Sequence, residues 1–254
     1  MDLGLAGKVV LVTGASSSIG RATAAAFGEE KALVAVGYHS DARAAAETAA
    51  MVEKRGGQAI TWRLDLGDPA SLEAAVATAR RELGPVDVLV NNAVRWPDWP
   101  APGETFETAP VERFTTSVNA NLVGPYLLAR AVVGDMRTKG WGRVVNVSTG
   151  LVEDGFPGNV SYIAAKSGLH GLTRVMSRQL ASAGILTNVV MPGFTPEGKD
   201  FPPELIAQAR TAAATRDITH PEDVARVIVF LCSTANTNTT GEAVRVDGHF
   251  LTPA

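Results

Sequence analysis

A chain of 254 residues, 46% hydrophobic and 19% charged, is long enough to bury a large core, and a single α/β domain of this size is ordinary. Its formal net charge of −3, with Lys and Arg scattered along the chain, provides no basic field and argues against nucleic acid as a partner. One cysteine, Cys232 in the apolar run VIVFLCS, excludes an intrachain disulfide and reads as a buried, inert thiol. No apolar run is long enough to span a bilayer and no basic-then-apolar leader opens the chain, so no membrane partner is expected and the cytoplasm is the expected compartment.

Apolar runs rich in Val, Leu and Ile alternate with longer Ala-rich patterns along the chain. The strands are expected near Lys8–Thr13, Leu33–Gly37, Ala59–Leu64, Val86–Asn91, Arg143–Val147, Leu186–Val190 and Ala243–Val246. Between them the pattern predicts helices near Ile19–Glu30, Ala42–Lys54, Pro69–Glu82, Pro110–Arg137, Tyr162–Ser182 and Pro221–Ser233. Two of these have clear starts, Asp68 before Pro69 and His220 before Pro221. Strict alternation of this kind predicts one doubly wound α/β domain over residues 1–254, with a mostly parallel sheet of seven strands and helices on both faces. Two Pro- and Gly-rich stretches break the rhythm, 94–108 and the segment after Pro192, taken as far as residue 216; loops of that length inside a compact domain are commonly functional, and both read as substrate-facing.

Gly14 and Gly20 flank Ala15, Ser16, Ser17, Ser18 and Ile19 directly after the first strand. The backbone can turn sharply there and lay amide N–H groups against a pyrophosphate at the start of the first helix. An acid normally ends the second strand of such a site and holds the ribose diol. Here that strand ends Val36-Gly37-Tyr38-His39-Ser40, with no acid before Asp41 and with Arg43 nearby. A carboxylate would repel a 2′-phosphate, so its absence favours NADP(H), with NAD(H) possible at a neutral site. Farther on, Tyr162 and Lys166 are spaced to share one helical face, where an ammonium can lower a phenol's pKa and make it a proton donor for a carbonyl.

These motifs in this order resemble the classical short-chain dehydrogenase/reductase family, in particular its β-ketoacyl carrier protein reductase-like branch, over nearly the whole chain. TGASSSIG resembles the family's glycine motif, Leu64-Asp65-Leu66 its adenine-contacting segment and Asn91-Asn92-Ala93-Val94 its NNAG motif. Asn121 matches the catalytic Asn, Tyr162 and Lys166 the catalytic pair, Met191-Pro192-Gly193 the nicotinamide-side turn, and Thr240–Gly248 the closing strand. The resemblance implies a Rossmann-type fold and hydride transfer to a ketone carbonyl, with Tyr162 as general acid. Lys166 and the oxidised nicotinamide would lower the phenol's pKa, and Lys166 would also hold the nicotinamide ribose. It further implies that Asn121 holds a water linking Lys166 to solvent; the alternative is an Asn bonded to local backbone that kinks its helix. Thr195 is a candidate for the nicotinamide carboxamide. Asn91 is expected to fix backbone near the adenine and ribose, and His170 to pack or to meet a neighbouring subunit.

Four positions depart from the family pattern. Thirteen residues before Tyr162 stands Thr149 in place of the usual Ser; it keeps the hydroxyl that would orient the carbonyl, with a methyl group added. Ser148 would point to the opposite side of an extended strand. Ser18 replaces a glycine of the phosphate turn, Val94 the glycine of NNAG, and His249 the last glycine of the closing motif. Trp96, Trp99, Phe156, Phe194 and Phe201 fall in segments expected to border Tyr162 and suit a bulky, aromatic or polyketide-like free ketone, unless they are the cores of their own loops. Only Arg137, Lys139 and Arg143 cluster as a docking surface for a carrier protein would require, and Ala183 stands where carrier-protein reductases often have Arg. The alternatives are a β-ketoacyl carrier protein reductase, an NAD-dependent alcohol dehydrogenase using Tyr162 as base, and a nucleotide-binding regulator without chemistry. The resemblance also implies a homotetramer or homodimer through the two long helices and the C-terminal segment.

Overall fold

In the computed structural model, residues 2–96, 100–155, 159–196 and 201–249 are described. They form a parallel sheet of seven strands in the order β3-β2-β1-β4-β5-β6-β7. The strands are β1 Val9–Val12, β2 Leu33–Tyr38, β3 Gln58–Arg63, β4 Val88–Asn91, β5 Gly142–Val147, β6 Ile185–Pro192 and β7 Ala243–Val246. The order reverses direction between β1 and β4, which opens a crevice at the carboxyl ends of the central strands.

Alternation along β1 shows how the sheet fills both faces. Val10 and Val12 enter one core with Phe27, Val34, Val36, Val224 and Ile228, under helices α1 (Ser18–Glu29), α2 (Ala42–Lys54) and α9 (Pro221–Leu231). Val9 and Leu11 enter the other with Leu72, Val76, Leu128, Val132 and Met176, under α3 (Pro69–Leu83), α5 (Gly124–Lys139) and α7 (Val160–Leu180). A strand covered on both faces has no polar side, hence the unbroken VVLV of the sequence. Asp41 and Asp68 cap α2 and α3, accepting from Ala44 N at 2.8 Å and Ala70 N at 3.0 Å. In α9 the Asp223 carboxylate accepts the His220 N–H at 3.2 Å.

Three segments differ from the sequence expectation. The helix expected over Pro110–Arg137 is α4 (Val111–Val118), a π-helical stretch at Asn119–Val123, and then α5. A short α6 covers Leu151–Asp154, and α8 covers Pro203–Ala212. The region 192–216 is therefore not a continuous loop: Pro203 at the first helical position and Glu204 in the first turn start a helix within it. Among the described residues no helix is long and apolar enough to cross a membrane, and no group of His, Cys, Asp or Glu is placed to hold a metal. Cys232 is fully buried and its thiol is pushed up by burial.

Candidate active site

The glycine turn is seated on the segment that follows β4. Gly14 has φ +63°, and a Cβ there would lie 2.8 Å from Ala93 Cα. A Cβ on Gly20 would strike the Gly14 carbonyl oxygen and lie 2.6 Å from Asn92 Nδ2. Asn92 fastens the turn by donating to Thr13 O at 2.9 Å and Gly14 O at 3.1 Å, while Thr13 Oγ1 accepts from Asn92 N and Ala93 N, both at 2.9 Å. Asn92 and Ala93 thus hold the turn in shape. Ser17 is the N-cap of α1 and makes no side-chain cap bond, so the first amides of α1 fit an anionic group. Ser16 O accepts from Arg21 Nη2 at 2.8 Å, and Ile19 packs against the core.

Ser18 occupies the left-handed region at φ +43°, as does His249 at φ +55°. Both stand where the family pattern has glycine, so the backbone conformation persists without the residue that adopts it most easily. Ser18→Gly is expected to relieve about 1 kcal/mol of this strain and to raise Tm by about 2–4 °C in a calorimetric scan. An unchanged or lower Tm would show that the Ser18 side chain compensates for its backbone.

At the end of β2, Tyr38 is half-buried, and His39 and Ser40 are exposed. The nearest following acid, Asp41, is turned to Ala44 N as the cap of α2. Sequence reasoning passed over Arg63. Register pairs it with Tyr38, and its exposed side chain donates through Nε to His39 O at 3.1 Å. Asp65 accepts from Gly67 N at 2.8 Å and lies 3.5 Å from His39 Nε2. The Gly67 bond, followed by the charge of His39, holds its carboxyl below the usual carboxylate range. Leu66 contributes its backbone oxygen to a close approach by Gly124, where a Cβ would lie 2.8 Å away.

Tyr162 and Lys166 are both buried on α7. Lys166 Nζ donates to Val147 O at 2.7 Å and lies 5.8 Å from the centre of the Tyr162 ring. Burial pushes Tyr162 above the ordinary phenol value and pulls Lys166 down to about 8, because each group loses water from its charged form. The Trp96 ring lies on Tyr162, with centroids 4.9 Å apart and an interplanar angle of 28°.

Thr149 follows β5 and its Oγ1 accepts from Leu151 N at 3.3 Å. Ser148 turns instead to α7, with Oγ donating to Lys166 O at 3.3 Å and sharing a 2.9 Å bond with His170 Nε2. Burial is the main cause of a lowered His170 pKa. Asn121 lies within the π-helical stretch. Its Oδ1 accepts from Arg95 N at 2.9 Å, and its Nδ2 donates to Arg95 O at 2.9 Å and Ser117 Oγ at 3.2 Å. The carboxamide thereby pins the residue before Trp96 to the helix bulge. Asn91 links β4 to β5, donating to Asn146 Oδ1 at 2.9 Å.

Pro192 ends β6, and Gly193 N donates to Val246 O at 2.9 Å. A Cβ on Gly193 would lie 2.7 Å from Asp247 Cα, so this turn is pressed against the end of β7. Thr195 Oγ1 donates to Gly193 O at 3.2 Å. Phe194 and Phe201 pack edge to face, 5.0 Å apart; Trp99 and Phe156 lie outside the described residues.

Residues 14–250 match the family described as enoyl-(acyl carrier protein) reductase. The chain belongs to the short-chain dehydrogenase/reductase family. It is 34% identical over 248 residues to 3-oxoacyl-(acyl-carrier-protein) reductase FabG of Vibrio harveyi, covering 97% of this chain and 98% of the relative. A solved structure of LugOII, described as a promiscuous reductase that catalyses keto-reduction at C1 during lugdunomycin biosynthesis, superposes with TM-score 0.88 at 34% identity. That likeness covers 98% of this chain and 99% of LugOII. Acetoin dehydrogenase YohF of Salmonella typhimurium superposes with TM-score 0.85 at 31% identity, over 96% and 97% of the two chains. As a short-chain dehydrogenase/reductase of this branch, the protein is an oxidoreductase acting on keto and hydroxyl groups with a nicotinamide cofactor.

Proposed function

We propose that this short-chain oxidoreductase reduces a bulky or aromatic free ketone with NADPH, and that Tyr162 delivers the proton to the substrate oxygen. The observation that carries the reading is the buried Tyr162 and Lys166 pair on α7, with Lys166 tied to the end of β5 at Val147 O. A reduced nicotinamide, when bound, supplies hydride to the carbonyl carbon. The turn at Gly14–Gly20 and the open N-terminus of α1 would hold its pyrophosphate; Asp65, Leu66, Pro192, Gly193 and Thr195 are the proposed adenine-side and nicotinamide-side contacts. As charge develops on the substrate oxygen, the phenol of Tyr162 is in the protonated form that a general acid requires. Lys166, with a pKa of about 8, keeps most of its charge at neutral pH and favours the oxyanion. Thr149 would orient the carbonyl through its hydroxyl.

Preference for the phosphorylated cofactor is supported by two features. Asp41 is engaged as a helix cap, and the Arg63 guanidinium stands beside His39, where a 2′-phosphate would find a cationic donor. Arg63→Ala is expected to weaken NADP⁺ binding at least about tenfold, the equivalent of about 1.4 kcal/mol, while NAD⁺ binding is unchanged. Titration of both cofactors by intrinsic fluorescence tests this. Tighter binding of NAD⁺ than NADP⁺ by the unmodified protein would remove the NADPH assignment.

A free ketone is favoured over a carrier-bound one by the fate of the candidate basic cluster. Arg143 is buried, with guanidinium bonds to Ser233 O, Gly142 O, Gly184 O and Asn236 O. Lys139 is paired with Asp87 at 2.7 Å. Arg143 is thus withdrawn from the surface and Lys139 is drawn to Asp87, which leaves Arg137 as the one exposed member of the three without such an engagement described and no triple cluster to meet an acidic carrier. Turnover of a ketone panel with NADPH, compared with an acetoacetyl-carrier protein, tests the choice; higher kcat/KM for the carrier-bound substrate would reverse it.

A further inference from the structure

Arg245, on β7, is a partly buried cation to which the proposed reaction gives no part. Its guanidinium is shared among three carboxylates. Nε and Nη2 donate to Asp247 Oδ2 at 2.8 and 2.6 Å, Nη1 donates to Glu153 Oε2 at 2.8 Å, and Nη2 lies 3.9 Å from Asp154 Oδ2. Glu153 and Asp154 end α6, which begins just beyond Thr149 and Gly150. We propose that Arg245 is a positioning residue for the reaction: it straps α6 to β7 and so sets the Thr149 hydroxyl against the nicotinamide-side turn. This role rests on the reading of Thr149 as the group that orients the carbonyl, and it names what orients Thr149.

α6 adjoins α7 but buries none of its four residues, and Gly150 at its N-cap supplies no side-chain bond. A single helical turn is not stable by itself. Thr149 depends on this turn, because its Oγ1 accepts from Leu151 N, at the start of α6, at 3.3 Å. That bond occupies a lone pair and leaves the hydroxyl hydrogen to be donated to a substrate oxygen. On the other side of Thr149, Ser148 is fixed to α7 through Lys166 O and His170 Nε2. The freedom left to Thr149 therefore lies toward α6.

The end of β7 reaches both halves of the site. A Cβ on Gly150 would lie 3.1 Å from Arg245 Nη2 and 3.6 Å from Asp247 Oδ2, and a Cβ on Gly193 would lie 2.7 Å from Asp247 Cα. The Arg245–Asp247 pair thus stands between Gly150 and Gly193. The direct link between those segments, from Gly150 N to Pro192 O, is a long 3.4 Å. An exposed ion pair alone contributes little. Here Asp247 is buried and its other oxygen accepts from His249 N at 2.9 Å, so the guanidinium is already ordered when Nη1 meets Glu153. With three carboxylates around it, Arg245 is not a site for an anionic part of the substrate.

Steady-state kinetics with one aryl ketone at saturating NADPH tests the role, with NADP⁺ affinity measured in parallel by fluorescence titration. Arg245→Met keeps the length of the side chain and removes its charge. It is expected to lower kcat about tenfold, less than the roughly 10²-fold that a misplacement of about 1 Å can cost. The ketone KM and the NADP⁺ Kd are expected to stay within about twofold, because an interaction made in the transition state is what is lost. Glu153→Ala, a change on the exposed side of α6, is expected to lower kcat in the same way, and Glu153→Gln to restore most of it, since its amide oxygen still accepts from Nη1. In a Thr149→Ala background, Arg245→Met and Glu153→Ala are expected to change kcat by less than about twofold, because the group they position is gone. Equal losses in both backgrounds, or an unchanged kcat in Arg245→Met and Glu153→Ala, would overturn the proposal. Thr149→Ala with the full kcat of the parent would instead remove the reading of Thr149 and the proposal with it, and no NADPH oxidation by the parent with any ketone would remove the reductase reading.

Discussion

Tyr162→Phe is expected to lower kcat for ketone reduction by about 10²–10⁴-fold, the range that a positioned general acid contributes, while NADPH affinity stays within a few-fold. The substitution removes one oxygen and keeps the ring, so the stack with Trp96 and the packing of α7 persist. Burial raises the pKa of this phenol, which keeps the hydroxyl in the protonated form that the proposed general acid requires. Steady-state kinetics with the cofactor titrated in parallel separates the two effects. Loss of cofactor binding together with activity would assign Tyr162 to the cofactor pocket; full activity in the variant would place the proton donor elsewhere.

Gly20→Ala sets two forces against each other. Alanine is the better helix former by about 1 kcal/mol, and Gly20 lies in the first turn of α1. Against this, the added methyl would meet the Gly14 carbonyl oxygen and, at 2.6 Å, the Asn92 carboxamide nitrogen that holds the turn. A backbone oxygen cannot rotate away, and overpacking of this kind costs about 1–3 kcal/mol. We expect the clash to win, with Tm lowered by several degrees and NADP⁺ affinity reduced at least about tenfold, equivalent to about 1.4 kcal/mol. A variant as stable as the parent, with unchanged cofactor affinity, would mean that α1 does not depend on its seat against Gly14 and Asn92.

The features legible in the sequence are those whose causes are local. VVLV reads as a strand buried on both faces and Asp68 before Pro69 as a helix start; β1 and α3 have those forms. What sequence reasoning missed depends on partners distant along the chain. Arg63 reaches His39 only because β3 pairs with β2 in one register. The π-helical stretch follows a carboxamide that crosses to Arg95, so Pro110–Arg137 reads as one helix until the fold supplies that partner. The spacing of Tyr162 and Lys166 indicates a shared helical face, whereas the burial that raises the phenol and lowers the ammonium comes from segments packed over that face. α8 is a different case. Its signals, Pro203 and Glu204, are in the sequence and were outweighed by the Pro- and Gly-rich stretch before them.

The most direct test of the reaction is isotopic. The protein is incubated with a fused-ring aryl ketone and NADPH deuterated on the transferring face of the nicotinamide, and the product is analysed by mass spectrometry and NMR. One deuterium on the carbinol carbon, formed in equal amount with NADP⁺ and lost with Tyr162→Phe, is the predicted result. NADPH that binds but gives no labelled alcohol from any ketone of the panel would contradict ketone reduction and leave a nucleotide-binding protein without this chemistry.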